Sequence, residues 1–162
     1  MNYDVLIIGA GPGGIYSAYE LTQQCPEKKV AVIEAGHALS RRHCPIDGEK
    51  VKTCIGCKTC SIMSGFGGAG AFSDGKYNIT NDFGGTLFEY IGKRQALELM
   101  RYVDEINMRY GGAGTKLYTT AGTQFKKACI QHDLHLLDAS VRHLGTDINY
   151  VVLENLYNYL KD

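Results

Sequence analysis

The chain has 162 residues, 44% of them hydrophobic and 21% charged, and its 17 basic side chains balance its 17 acidic ones. That is enough for one domain with a core, at an ordinary globular composition. Balanced charge without clustered basic residues excludes a nucleic-acid footprint, and no apolar run has the length of a membrane span.

The N-terminus, MNYDVLIIGAGPGG, lacks the basic region and cleavage site of a signal peptide, which points to the cytoplasm. In that compartment six cysteines are expected to be reduced, metal-bound or catalytic, not a disulfide framework.

Tyr3–Ile8 (YDVLII) is nearly continuously apolar and predicts a strand buried on both faces of a parallel sheet. Gly9–Gly14 breaks it. Ile15, Ala18 and Leu21 then recur at helical spacing, and Pro26 closes the helix. Val30–Ile33 predicts a second buried strand ending at Glu34, so the chain begins as a βαβ unit with a right-handed crossover. From Ala35 to Gly92 periodicity nearly vanishes, and nine of the 20 glycines lie in 56–92. A structureless stretch that long is either functional or disordered. Ile62, Met63, Phe66, Phe72, Phe83, Leu87 and Phe88 ask for burial, so the expectation is a loop ordered against a cofactor, a metal or further protein.

Helical order returns at Arg94–Tyr110, with Leu97, Met100, Val103 and Ile106 or Met108 on the apolar face, Asp104 opposite, and Gly111-Gly112 as the stop. Thr123–Asp133 predicts another helix and Leu134–Val141 a strand. Thr146 or Asp147 caps a last helix running through Leu160. The fold class is therefore α/β, a Rossmann-like βαβ core with added helices, which the motif and the resemblance given below make an incomplete FAD/NAD(P)-binding one. Residues 1–34 form the dinucleotide motif and 35–92 a glycine- and cysteine-rich cofactor loop. Residues 93–162 form a helical region with one strand.

Gly9, Ala10, Gly11, Pro12, Gly13 and Gly14 spell G-x-G-x-x-G between a strand and a helix, and Glu34 ends the next strand 20 residues after Gly14. Gly9 permits the turn, Gly11 lets the backbone approach a pyrophosphate, and Gly14 allows close helix–strand packing. The helix N-terminus offers free N–H groups to the phosphates. Glu34, with Ala35 beside it, is placed at the adenosine ribose, where its charge disfavours a 2′-phosphate. The motif alone does not separate FAD from NAD. Its place at the N-terminus, before a long glycine-rich segment, leans toward FAD.

Four stretches, YDVLIIGAGPGGI at 3–15, RRHCP at 41–45, CIGCKTCSIMSGFGGAGAFSDGK at 54–76 and RHLGTD at 142–147, resemble a family of mostly uncharacterised bacterial FAD-dependent dehydrogenases. That family lies in the glutathione-reductase-like flavoprotein superfamily. The resemblance implies that Gly67, Gly68, Ala69, Gly70 and Ser73 line the cofactor. It also implies that Arg41 and Arg42 lie near its phosphates or adenine side. Small residues suit such a wall, because backbone N–H groups can converge on an anion or a ring edge. Lys76 reads as a solvated lysine ahead of a flavin neighbour. Family members are much longer, with a substrate-binding region and a returning segment, so this chain reads as the N-terminal part of a longer one.

Cys54, Cys57 and Cys60 form C-x2-C-x2-C, with Cys44 ten residues upstream. Four thiolates suit zinc or an iron–sulfur cluster, although the Cys-Pro of a ferredoxin run stands upstream, at 44–45, rather than downstream. A C-x2-C pair also suits disulfide redox beside a flavin. The simplest expectation is reduced cysteines packed in the loop, with no metal ligand assigned. Cys25 and Cys129 read as core residues, His143 as a hydrogen-bonded structural one, and His132 and His135 as surface.

The expected function is FAD binding within a flavin-dependent oxidoreductase. Its partner is a small-molecule substrate of unknown identity, with NAD(P)H among the candidates, and neither nucleic acid nor membrane. No residue reads as a catalytic acid or base. The alternatives are an NAD-binding dehydrogenase domain, an iron–sulfur or zinc electron-transfer module, and an inactive dinucleotide-fold remnant or interaction domain.

Overall fold

The computed structural model describes residues 2–161. The elements in chain order are β1 (Val5–Ile8), α1 (Pro12–Gln24), β2 (Val30–Ile33), β3 (Lys76–Ile79), α2 (Leu87–Ile91), α3 (Lys93–Asn107), β4 (Leu117–Thr119), α4 (Phe125–Gln131), β5 (Ser140–His143) and α5 (Gly145–Lys161). Short 3-10 turns occupy Leu39–Arg41 and Gly68–Phe72. The chain divides into two compact units, residues 1–73 with 149–162, and residues 74–148.

In the first unit β1 and β2 pair in parallel, Val5 opposite Val30 through Ile8 opposite Ile33. α1 makes the crossover. Pro12 opens it, where a missing N–H costs nothing, and Ile15, Ala18 and Tyr19 form its buried stripe. The α5 stripe of Asn149, Val152, Leu153 and Leu156 is equally buried, at helical spacing. Leu39, Phe66 and Ala71 complete this core.

Burial of the strands on both faces is corrected by the structure. Leu6 is 54% exposed and Ile8 84%, on one face of β1. Parallel strands are buried on both sides only when helices and further strands cover them. Among the described residues, β1 and β2 pair only with each other.

The second unit holds an antiparallel sheet of order β3-β5-β4. β3 lies inside the stretch expected to be structureless, together with α2. Residues 93–162 carry two strands rather than the one expected, because β4 joins β5 with Leu117 opposite Arg142. The β5 register also differs from Leu134–Val141. At Ala139 a side chain replaces one bond of the ladder. The Ala139 N–H donates to Thr120 Oγ1 at 2.9 Å, and the Ala139 carbonyl accepts from the Thr120 N–H at 3.0 Å. α4 is shorter than expected, spanning Phe125–Gln131.

Asp104 is buried, not opposite the apolar face of α3. Its carboxylate accepts from Arg142 Nε at 3.0 Å and Nη2 at 2.8 Å, while Arg142 Nη1 donates to the Thr115 carbonyl. A paired charge tolerates burial that a lone one would not. This pairing raises the Arg142 guanidinium above its ordinary value. Cys25 and Cys129 are half-buried rather than core, at the end of α1 and within the exposed α4. Of the apolar loop residues, Phe66 is buried, whereas Met63, Phe83 and Leu87 remain exposed.

Candidate functional site

The first turn follows from three glycines with distinct duties. Gly9 has φ +99°, a region other residues rarely adopt, and its N–H donates to the Ile33 carbonyl at 2.7 Å, tying the turn to the end of β2. A Cβ on Gly14 would overlap the Gly9 carbonyl oxygen, so α1 can approach the turn only because that residue is glycine. A Cβ on Gly11 or Gly13 would meet nothing within 4 Å. Open space therefore stands before the N-terminus of α1. Gly11 provides no side-chain cap, and no acidic residue occupies the first turn. Free N–H groups and the partial positive charge of a 13-residue helix make this an anion-binding end.

Glu34 stands at the end of β2 and accepts three backbone hydrogen bonds. Oε2 accepts from the Ala10 N–H at 2.7 Å, and Oε1 from the N–H groups of Gly36 and Gly65, both at 2.9 Å. These donors hold its carboxyl below the usual carboxylate value, with Ala10 the largest contributor. A carboxylate offers about four lone-pair positions. One is left, on Oε2. Glu34 is thus the knot that joins the first turn to residues 36 and 65 as well as a candidate ribose ligand.

Arg42 builds the opposite wall. It is 2% exposed, and four of its five N–H groups reach backbone carbonyls. Nε donates to Ser61 at 2.8 Å and Nη2 to Ile62 at 2.7 Å. Nη1 donates to Phe66 at 2.7 Å and to Gly68 at 2.9 Å. Its guanidinium also lies 4.8 Å from the centre of the Phe72 ring. Gly65, at φ +122°, leaves room for this side chain, since a Cβ there would stand 2.6 Å from Arg42 Cδ. The Gly67 N–H donates to the Ala10 carbonyl at 2.8 Å, so the glycine-rich segment lies against the first turn. From α5, Asn149 Nδ2 donates to the Gly70 carbonyl at 3.1 Å and to that of Ala71 at 3.4 Å.

The predicted residues therefore fall into groups. Gly9, Ala10, Gly11, Gly14, Glu34, Gly67 and Gly68 come together around the first turn. Pro12 and Gly13 stand exposed at the start of α1; Ala69, Gly70 and Ser73 are exposed, as is Ala35 beside Glu34. The Ser73 hydroxyl donates to the Gly70 carbonyl at 2.8 Å. Arg41 is exposed at the rim of a cavity of about 690 Å³ that also touches Ala10, Glu34, Gly36, His37 and Tyr157. That volume lies in the range of small-molecule sites. Arg42 sits beneath the loop, and its role is to shape it.

Asn149 escaped the sequence reading. Its signal is a polar residue at a core position of an otherwise apolar helical stripe. Tyr157 also escaped; its ring meets Phe66 edge-on at 5.1 Å between centroids.

All six cysteines are free, with Cys44, Cys54 and Cys57 exposed and Cys60 half-buried. Among the described residues no three His, Cys, Asp or Glu side chains stand placed to hold a metal ion. In the second unit Lys76 pairs with Asp74 at 2.6 Å, both side chains more than half exposed, and His143 ends β5 exposed to solvent. No helix among the described residues is long and apolar enough to cross a membrane.

A sequence profile of the pyridine nucleotide-disulphide oxidoreductase family matches residues 3–127. The chain belongs to that family, whose dinucleotide-binding fold agrees with the β1–α1–β2 unit. It is similar to an uncharacterized protein of Acanthamoeba polyphaga mimivirus, with 50% identity over 42 residues. That stretch is 26% of this chain and only 8% of the viral protein. No solved structure matches the chain.

Proposed function

We propose that this member of the family is the FAD-binding portion of a flavin-dependent dehydrogenase. The observation that carries the reading is the open, uncapped N-terminus of α1, flanked by Glu34 on one side and by Gly67–Gly68 on the other. Both walls are backbone-rich and free of bulk, which suits a dinucleotide whose pyrophosphate needs close N–H donors.

In this reading Gly11, Gly13 and the first turn of α1 hold the pyrophosphate. The remaining acceptor position of Glu34 Oε2 takes one ribose hydroxyl, and its negative charge rejects a 2′-phosphate. Arg41, at the cavity rim, faces the adenosine phosphate side. Gly68, Ala69, Gly70 and Ser73 line the flavin side, in the shape that Arg42 and Asn149 give them. Bound FAD supplies the hydride chemistry, and the chain contributes binding and orientation. NAD(P)H and an unidentified small molecule are the proposed electron donor and substrate.

The test is equilibrium dialysis of the chain against FAD, NAD and NADP. The reading expects FAD to be retained in about a one-to-one ratio and NADP to be rejected. Retention of NAD in preference to FAD would overturn the assignment.

A further inference from the structure

β2 has two edges, and only one of them is paired. The Lys29 and Ile33 carbonyls accept from the N–H groups of Val5 and Gly9 at 3.2 and 2.7 Å. With Val5 opposite Val30 and Ile7 opposite Val32, this parallel register gives residues 29, 31 and 33 to the β1 ladder. The N–H and C=O groups of Val30 and Val32 therefore point the other way. Among the described residues they make no hydrogen bond there, and no further strand pairs with β2.

An unpaired edge is normally blunted by a charge, a proline or a bulge. Val30–Ile33, VAVI, contains none of these. The edge also opens into the cavity of about 690 Å³, whose lining Val30 and Val32 share with Ile15 and Ala18 of α1 and with Tyr157 and Leu160 of α5. A strand added beside β2 would lie about 4.8 Å away and turn alternate side chains into this apolar space.

Charge states what kind of strand fits. The lining carries three cations, Lys28, Arg41 and Lys161, and one acid, Glu34. The Glu34 carboxylate is already taken up by three backbone N–H groups. None of the cations has an ion-pair partner among the described residues. Arg41 is given to the dinucleotide in the reading above, which leaves Lys28 and Lys161 for the strand. Carboxylates on an incoming segment would neutralise these two, and a basic segment would be repelled.

We propose that the free edge of β2 is a docking site for an extended, apolar and acidic segment of a partner protein, which joins the sheet as a further strand. The N–H and C=O groups of Val30 and Val32 supply the attachment, and the cavity and the two lysines supply the selection. The end of the cavity at Ala10 and Glu34 stays with the dinucleotide.

The test is nuclear magnetic resonance of the full, isotope-labelled chain titrated with a synthetic peptide of alternating valine and glutamate. A peptide of alternating valine and lysine is the control. The acidic peptide is expected to slow amide hydrogen exchange several-fold at Val30 and Val32. Ala31 and Ile33, whose amides already serve the β1 ladder, are expected to keep their rates. The basic peptide should bind several-fold more weakly. Val32→Pro removes one outward N–H without touching the β1 ladder, so it should weaken the acidic peptide several-fold at unchanged circular dichroism. Lys28→Glu combined with Lys161→Glu should reverse the preference between the peptides, and this surface variant keeps the test open should Val32→Pro unfold. Unchanged exchange at Val30 and Val32 in millimolar acidic peptide would overturn the proposal. So would equal binding of the two peptides. Slow exchange at both amides in the chain alone, together with a dimeric mass, would overturn it too and give the edge to a second copy. None of these readouts involves flavin, so failure here is distinguishable from failure to bind FAD.

Discussion

Glu34→Gln removes the charge at the knot while keeping its shape. The amide oxygen can keep the Gly36 and Gly65 bonds, but its NH2 group must then face the Ala10 N–H, and both are donors. Ala10 is 2% exposed, so its N–H loses its only carboxylate partner out of reach of bulk water. An orphaned buried donor costs about 1–3 kcal/mol. The other two bonds weaken from charge-assisted to neutral, at roughly 0.5 kcal/mol each. The sum is about 3 kcal/mol, or about 6–12 °C in the thermal midpoint for a chain of this size. The assay is thermal unfolding of the cofactor-free chain at neutral pH, followed by circular dichroism. The effect must also depend on pH. The folded carboxyl is held below its ordinary value of 4.5, so its stabilisation is fully present above that value. It is lost as pH falls through the lower folded value, and the gap between wild type and variant should close there. A variant that unfolds within about a degree of wild type at neutral pH would show that Glu34 is only a ligand group and that the knot is not structural.

Three further outcomes follow from the same geometry. Gly14→Ala should prevent the first turn from forming, seen as a large loss of thermal stability, whereas Gly11→Ala should fold normally and lose FAD in dialysis; equal behaviour of the two would refute the separation of roles. Arg42→Lys should destabilise by about 3 kcal/mol, because an ammonium cannot fork to four carbonyls, and should speed proteolytic cleavage between 43 and 64; unchanged cleavage rates would count against the clamp. Asn149→Ala should cost about 1–2 kcal/mol in denaturant unfolding, and Asn149→Asp more, since a carboxylate would face two carbonyl oxygens; the opposite order would sink the hydrogen-bond reading.

The legible part of this chain is the part with a period. The first and second strands are wholly apolar runs (VLII and VAVI) set off by a glycine turn and a helix of 13 residues, and Glu34 stands at a fixed distance from the turn. β3, β4 and β5 are about as short, but KYNI, LYT and SVRH mix polar and apolar residues with no such marker beside them. Arg42 was legible as a cation but not as a clamp, since its partners are carbonyls of residues 61–68, which any sequence supplies. Asp104 was misplaced for a related reason. Its polarity argued for the surface, and only the fold brings Arg142 to it.

The same bonds decide how far a disturbance spreads. Residues 65–68 are held from three directions, by Glu34 through Gly65, by Arg42 through Phe66 and Gly68, and by Ala10 through Gly67. The cysteine segment begins and ends at the Arg42 clamp, so its rearrangement is absorbed between fixed ends. Cys57→Ser should therefore leave the FAD affinity of the chain unchanged while Arg42→Lys weakens it. If Cys57→Ser lowered the affinity as much as Arg42→Lys does, the two halves of the loop would have to be one mechanical unit, with the clamp as an internal contact of that unit instead of its boundary.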